Sequence, residues 1–546
     1  RRVVGPSGSG DATTAMTAGL PVSLWPDNRA AGLAWRAQSE RRQVATGKGK
    51  KFHWKIFDWF RISCCHAATM RPMTILLLGL FWLPVVYGTS PGVDTLPAPV
   101  TAALRDNGFP TRGFSLYVHE IGKTDPVLAV AADVPRLPAS TIKLLTTLVA
   151  LEELGPAWRW KTEAYVTKPV QDGRLAGDLY IKGYGDPYLV IEHFWRFLRA
   201  LRAEGLETID GDLILDQGYF TTEAGDPADF DDQPLRAYNV LPSALLINFQ
   251  AVKFSFIPDP AAGRVHILAD PLPANAEVEN RVALGMAPCR GWARELGMKV
   301  RQSADRARVI FSGRYHTDCG RQEMFRVISE PAPYTLGLFR SLWKELGGRF
   351  QGGAREGSVP ADASLYYTAW SPPLGDVIRS VNKFSNNVMA RQLLLTLGAE
   401  QAGAPGTTEK GIQAVRNWLK QKKLYFPELV LENGSGLSRT ETITARHLAQ
   451  VLLAGWRSPY MPEYISSLAL AAMDGTLRRR FSDAEFEGQM HLKTGSLRDV
   501  RSLGGYVLDR AGRRMVVACL HNHSKADTPA GERVQEAVLK WVQERP

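Results

Sequence analysis

Three short stretches of the chain carry residue types suited to acyl transfer. Ser140-Thr141-Ile142-Lys143 sets a hydroxyl and an amine three positions apart, one turn along the same face of a helix. A serine hydroxyl is a poor nucleophile at its free pKa and needs a base within hydrogen-bond reach. At a helix start the positive end of the dipole disfavours an ammonium and favours a developing alkoxide, so a desolvated Lys143 can serve Ser140 as a neutral base. Ser385-Asn386-Asn387 interrupts the helical pattern VNKFSNNVMARQLL. A Ser385 hydroxyl there could relay a proton to a leaving amine, and the Asn387 amide could bind a peptide carbonyl. Lys493-Thr494-Gly495-Ser496 ends an apolar, strand-like approach. Lys493 and Thr494 could recognise a substrate carboxylate, and Gly495 would let a peptide backbone come close. The Ser496 N–H, with that of Ser140, could form an oxyanion hole. Each stretch has a bland alternative: a chance tetrapeptide, a solvated turn between helices, a strand-end turn.

Positioning these residues requires elements from both ends of the chain. The pattern predicts a helix over 98–107, strands over 113–121 and 127–134, and a helix opening at Ser140 and stopping at Gly155. Helical periodicity returns over 374–397, 410–422 and 444–456, followed by strands over 491–494, 502–509 and 514–521 and a helix over 531–544. Between them, short alternating runs at 178–182, 211–216, 252–257, 265–269 and 300–311, punctuated by Gly, Pro and Asp, read as strands. The expected fold is mixed α/β: a sheet flanked by helices, formed by 95–160 and 363–546 and split by β-rich accessory domains over 161–362, the innermost at about 256–320.

The net charge of +11 belongs to the front of the chain. Residues 1–69 hold eleven Lys/Arg against four Asp/Glu, and beyond position 88 the balance is 54 basic to 51 acidic. A nucleic-acid partner is therefore not expected. Met70-Arg71 opens a short basic start, 75–86 is an apolar run, and Val86-Tyr87-Gly88 offers a cleavage site, so 70–88 reads as a secretory signal and 1–69 as non-native upstream or disordered sequence, with a basic arm ahead of a membrane anchor as the alternative. Export would permit a disulfide between Cys289 and Cys319, which spacing leaves open. Cys519 reads as a buried thiol. No His/Cys set has zinc spacing, and His521-Asn522-His523 does not read as a metal site.

In the order S-x-x-K, S-x-N, K-T-G, the three stretches resemble the motif set of penicillin-binding proteins and serine β-lactamases. The 245 positions from Ser140 to Ser385 (385 − 140) exceed what a compact β-lactamase needs. An insertion of that kind resembles the low-molecular-mass class C penicillin-binding proteins, the D-alanyl-D-alanine carboxypeptidase/endopeptidase family of the DacB type. Gly183-Tyr184-Gly185-Asp186-Pro187, Asn433-Gly434-Ser435-Gly436-Leu437-Ser438-Arg439 and Asp474-Gly475-Thr476 look like that family too. The resemblance implies Ser140 as the acylated serine, Lys143 as its base, Ser385 and Asn387 as the S-x-N pair, and Lys493 to Gly495 as the third motif. It implies a periplasmic enzyme, without metal or cofactor, whose partners are peptidoglycan stem peptides and β-lactams. Peripheral membrane association is left open.

Three departures stand out. Asn386 occupies a place where the family usually has Asp, which implies tuned activity; Asn433 replaces a frequent Asp; His491 stands where a small or basic residue is common. The insertion is also short for the family, which implies a reduced innermost domain. A serine β-lactamase is the rival of the same chemistry, but no E-x-x-L-N loop is present and Glu432-Asn433 is the nearest approach. A catalytically weak, penicillin-binding wall scaffold is the rival of another class.

Overall fold

Strands Arg514–Asn522 and Val500–Leu508 are buried at nearly every position, as strands covered on both faces must be. The computed structural model shows why. It describes residues 95–545 apart from 223–224, 304–305 and 482–485, so the stretch read as upstream sequence and the 70–88 leader lie outside the described residues. Six antiparallel strands form one sheet in the order Ala469–Leu470, Met490–Leu497, Val500–Leu508, Arg514–Asn522, Phe114–Glu120, Leu128–Val130. Side chains alternate between two cores. Val516, Ala518 and Leu520 face a large helical layer. Met515, Val517 and Cys519 face a smaller core with Val100 and Leu104 of helix Ala98–Asp106 and Val534 and Val538 of helix Pro529–Gln543. Cys519 is a buried free thiol there, and burial pushes it up to about 12.

The helical layer is built around Lys143–Leu154, which is buried at every position from Lys143 to Leu151. Such a helix must be central, and Leu374–Lys383, Asn387–Ala402, Thr408–Gln421 and Ala445–Arg457 surround it. The helix expected to open at Ser140 begins instead as a 3-10 turn, Ala139–Ile142, before turning α at Lys143. The single pattern over 374–397 is two helices, broken at Phe384-Ser385-Asn386.

The insertion is β-rich, as expected, and differs from the sequence reading in its boundary and in the helices it contains. Its five-stranded sheet runs Ala354–Glu356, Leu213–Asp216, Leu179–Gly183, Lys161–Val166, Ser364–Trp370, so the return to the helical layer falls after Trp370 rather than at 362. It also contains two helices, Ile191–Ala203 and Pro331–Glu345. The first buries Phe194, Phe197, Leu198 and Leu201, one helical face at about 1.5–3 kcal/mol per side chain. The innermost part is a six-stranded sheet within Val252–Arg326, wider than the expected 256–320. Cys289 and Cys319 are bonded there, with Cα atoms 4.9 Å apart.

Candidate active site

The site lies where the helical layer meets the 490–497 strand. Lys143 is fully buried and its Nζ donates to Ser140 Oγ at 2.9 Å, to Asn387 Oδ1 at 2.7 Å and to the Ser435 carbonyl. Burial first, then the neighbouring Lys493, holds its proton affinity well below that of an ordinary lysine; Glu441 opposes this and Arg391 adds to it. As an ammonium, Lys143 would satisfy three acceptors with three protons. As an amine it would keep Asn387 and Ser435 and turn its lone pair toward the Ser140 hydroxyl, which is the geometry of a general base.

A second buried lysine stands opposite. Lys493 Nζ donates to Ser385 Oγ at 2.8 Å and to the Thr494 carbonyl at 2.7 Å, and burial lowers its pKa to about 7. Ser385 adopts φ +58°, a left-handed conformation that costs a non-glycine residue of order 1 kcal/mol and marks a constrained position. Asn386 caps the following helix, its Oδ1 accepting the Met389 N–H at 3.0 Å. An amide oxygen performs that capping task as a carboxylate would, so the neutral residue changes the local charge without undoing the turn.

Gly495 sits against the nucleophile's turn: a Cβ there would lie 2.1 Å from Ser502 Oγ, 2.8 Å from Pro138 O and 3.0 Å from Ser140 N. Ser496 follows in register with Arg501 and joins the site through its place in the strand. Ala469–Leu470 pairs only with Leu492 and His491, so the outer edge from Lys493 onward has no strand partner among the described residues. That edge can receive an extended peptide. Thr494 Oγ1 donates to Thr476 Oγ1 at 2.9 Å, bringing a second hydroxyl to the same rim.

All eight residues singled out from the sequence thus converge. Several supporting roles were missed, including those within the Asn433–Arg439 stretch already singled out. Asn522 accepts from Leu137 N at 2.8 Å and donates to Leu137 O at 3.1 Å, and Ser502 donates to Pro138 O, so two side chains of the sheet pin the turn that presents Ser140. The neighbouring His521 is buried, its ring 4.6 Å from that of Phe109 edge-on, and burial lowers it to about 4. Ser435 contributes through its carbonyl. Asn433 accepts from Ser435 N at 3.0 Å and from Ser435 Oγ at 2.6 Å, so the amide that replaces a frequent Asp still braces this turn.

A Ser–Lys pair at the start of a buried helix, beside the open edge of an antiparallel sheet, is an arrangement suited to a serine-type hydrolase. The comparisons with known proteins give the family. A model of the D-Ala-D-Ala carboxypeptidase 3 (S13) family matches residues 96–545, and the chain belongs to that family, whose members are serine-type D-Ala-D-Ala carboxypeptidases. It is 30% identical over 418 residues to a D-alanyl-D-alanine carboxypeptidase of Actinomadura sp. (strain R39), covering 74% of this chain and 76% of that one. It is 23% identical over 394 residues to D-alanyl-D-alanine carboxypeptidase DacB of Haemophilus influenzae, covering 72% and 81%. In fold it is similar to the crystal structure of penicillin binding protein 4 (dacB) from H. influenzae, with a TM-score of 0.67, 21% identity and coverage of 82% and 99%. The DacB-type resemblance read from the motifs is borne out.

One substitution tests how tightly the turn is packed. Gly436 has φ +79°, and a Cβ on it would meet Ala139 O at 2.0 Å and Ser140 N at 2.7 Å, both backbone atoms. Gly436→Ala is expected to slow D-Ala release by roughly tenfold or more and to cost about 1–3 kcal/mol of stability. Steady-state assays and thermal unfolding measure both, and a variant with wild-type turnover would show that the turn yields freely.

Proposed function

We propose that this carboxypeptidase acts on peptidoglycan stem peptides through an acyl-enzyme on Ser140, that it also opens D-Ala–meso-diaminopimelate cross-links, and that it does so in the periplasm. The observation that carries the reading is the 2.9 Å contact from a fully buried Lys143 Nζ to Ser140 Oγ. Lys143 takes the Ser140 proton as Oγ bonds to the carbonyl carbon of the penultimate D-Ala. The negative charge that develops on the carbonyl oxygen rests on the N–H groups of Ser140 and Ser496. Ser385 passes its own proton to the departing nitrogen as the C–N bond breaks and takes one in its place from Lys493, whose ammonium donates to it, so that Lys143 ends this half-reaction as the ammonium and Lys493 as the amine. Water then attacks the ester, giving a proton through Ser385 back to Lys493, and Lys143 returns its proton to Ser140 Oγ as the C–O bond breaks and the shortened peptide leaves.

The endopeptidase reading follows from the leaving group. The departing residue in a D-Ala–diaminopimelate cross-link is, like terminal D-Ala, an amine on a D-configured carbon bearing a carboxylate. Lys493 and Thr494 would meet the same carboxylate in either substrate. Penicillin, whose reactive amide carbonyl is likewise followed by a carboxylate, would acylate Ser140.

Two measurements test this. Mass spectrometry after penicillin treatment should find the adduct on the peptide bearing Ser140; labelling elsewhere, or rapid turnover leaving no adduct, contradicts the assignment. Purified muropeptides with and without cross-links should both be cut, and intact cross-linked dimers after complete trimming of pentapeptides would restrict the enzyme to carboxypeptidase action.

A further inference from the structure

The turn at Asn433–Gly436 touches the reacting groups from below at several points. Its Ser435 carbonyl accepts from Lys143 Nζ, and its Gly436 lies against the backbone of Ala139 and Ser140. Its Gly434 carbonyl accepts from Thr146 Oγ1 at 2.7 Å, one helical turn beyond Lys143. A single side chain holds that turn together. Glu441 is 1% exposed, and its Oε1 accepts the backbone N–H groups of Glu432 at 3.1 Å, Asn433 at 2.9 Å and Gly434 at 2.9 Å. Its own N–H donates to Ser438 Oγ at 2.9 Å, while its Oε2 is buried without a hydrogen-bond partner.

We infer that Glu441 is a positioning residue for Lys143: it fixes the turn whose Ser435 carbonyl orients the amine, and it sets a negative charge close to that amine. The inference rests on the reading of Lys143 as the base. Three backbone donors converging on one oxygen could be served by an uncharged amide, so geometry alone does not call for a carboxylate. A buried charge is costly unless something uses it or offsets it. Here the groups that act on Lys143 are two cations, Lys493 from the strand and Arg391 from helix Asn387–Ala402, and one anion, Glu441. Glu432 faces Glu441 from its own turn. Burial raises the pKa of Glu441 while its three N–H donors work against that, and as the carboxylate acting on Lys143 it counters the two cations and keeps the lysine's proton affinity from falling so far that the amine becomes too weak a base.

The test uses the full chain and two variants, Glu441→Gln, which removes the charge, and Glu441→Asp, which keeps it but draws it back by one methylene. The readouts are kcat/KM for D-Ala release and the rate of acylation by benzylpenicillin from pH 5 to 10, with thermal unfolding alongside. In Glu441→Gln the ascending acidic limb should move to lower pH by about one unit, since the ammonium loses a favourable neighbour. In Glu441→Asp the limb should stay while kcat falls roughly tenfold with KM little changed. An unmoved limb in Glu441→Gln overturns the inference, whatever happens to the melting temperature. If Glu441→Gln does not fold, wild-type kcat in Glu441→Asp with only a lower melting temperature overturns it instead. A wild-type enzyme that forms no Ser140 adduct would remove the base reading itself, which is a separate failure.

Discussion

Ser140→Ala is expected to abolish D-Ala release, with a loss of at least about 10⁴-fold in kcat. The bond-forming atom is gone, and what survives is only the help that the oxyanion donors and the binding groove give to attack by water. The protein should remain folded. Ser140 is partly exposed, and its hydroxyl is one of three acceptors around Lys143, so its removal leaves Asn387 and Ser435 to hold the amine. The stability change should stay within about 1 kcal/mol. Turnover, penicillin labelling and thermal unfolding measured on one preparation check the three statements together. Residual activity within a hundredfold of wild type, in a folded variant, would mean that another group attacks the substrate.

Lys493→Met should produce the second large effect, and it should be visible in stability as well as in rate. The wild-type lysine titrates at about 7 in the fold but near an ordinary lysine value of about 10.4 once unfolded. Between those values the unfolded chain binds more protons, so wild-type stability rises with pH across that window, and the penalty of burying the charge is fully present below about pH 7. Lys143, also held below its ordinary value, acts in the same direction. Methionine has no charge to desolvate. The melting temperature of the variant relative to wild type should therefore be highest at pH 6 and decline steadily toward pH 9.5. A constant difference across that range would show that Lys493 ionises normally in the fold. Activity should fall by roughly 10²–10³-fold, because Ser385 loses the donor that orients it and the substrate carboxylate loses its cation.

The reacting side chains were legible in the sequence because each announces itself by type and short spacing. Ser140 and Lys143 are one turn apart, and Lys493, Thr494 and Gly495 are consecutive. The roles of the supporting groups were not legible for a physical reason, even where, as at Ser435, the stretch itself resembled the family. Ser435 acts through a backbone carbonyl, which any residue possesses, and Glu441 acts through N–H groups that likewise carry no signature. Asn522 reaches Leu137 across 385 positions, a relation that exists only after the sheet has formed. The helix Ile191–Ala203 is a different kind of miss. Its buried residues at 194, 197, 198 and 201 follow helical spacing, but the Gly, Pro and Asp around it favoured a strand-by-strand reading. The site charge altered by Asn386 was visible from the start, whereas its service as a helix cap required the backbone.

The manner in which the chain leaves and rejoins its catalytic body has an evolutionary meaning. Lys161 and Trp370 face each other in adjacent antiparallel strands, so the whole excursion departs and comes back through a single narrow doorway. A guest attached in this way can be enlarged, trimmed or replaced while the Ser140 turn, the Ser385 turn and the Lys493 strand keep their distances from one another. Variation in the size of such a guest among related enzymes would then report on what each one must reach within the wall, with the chemistry itself left untouched.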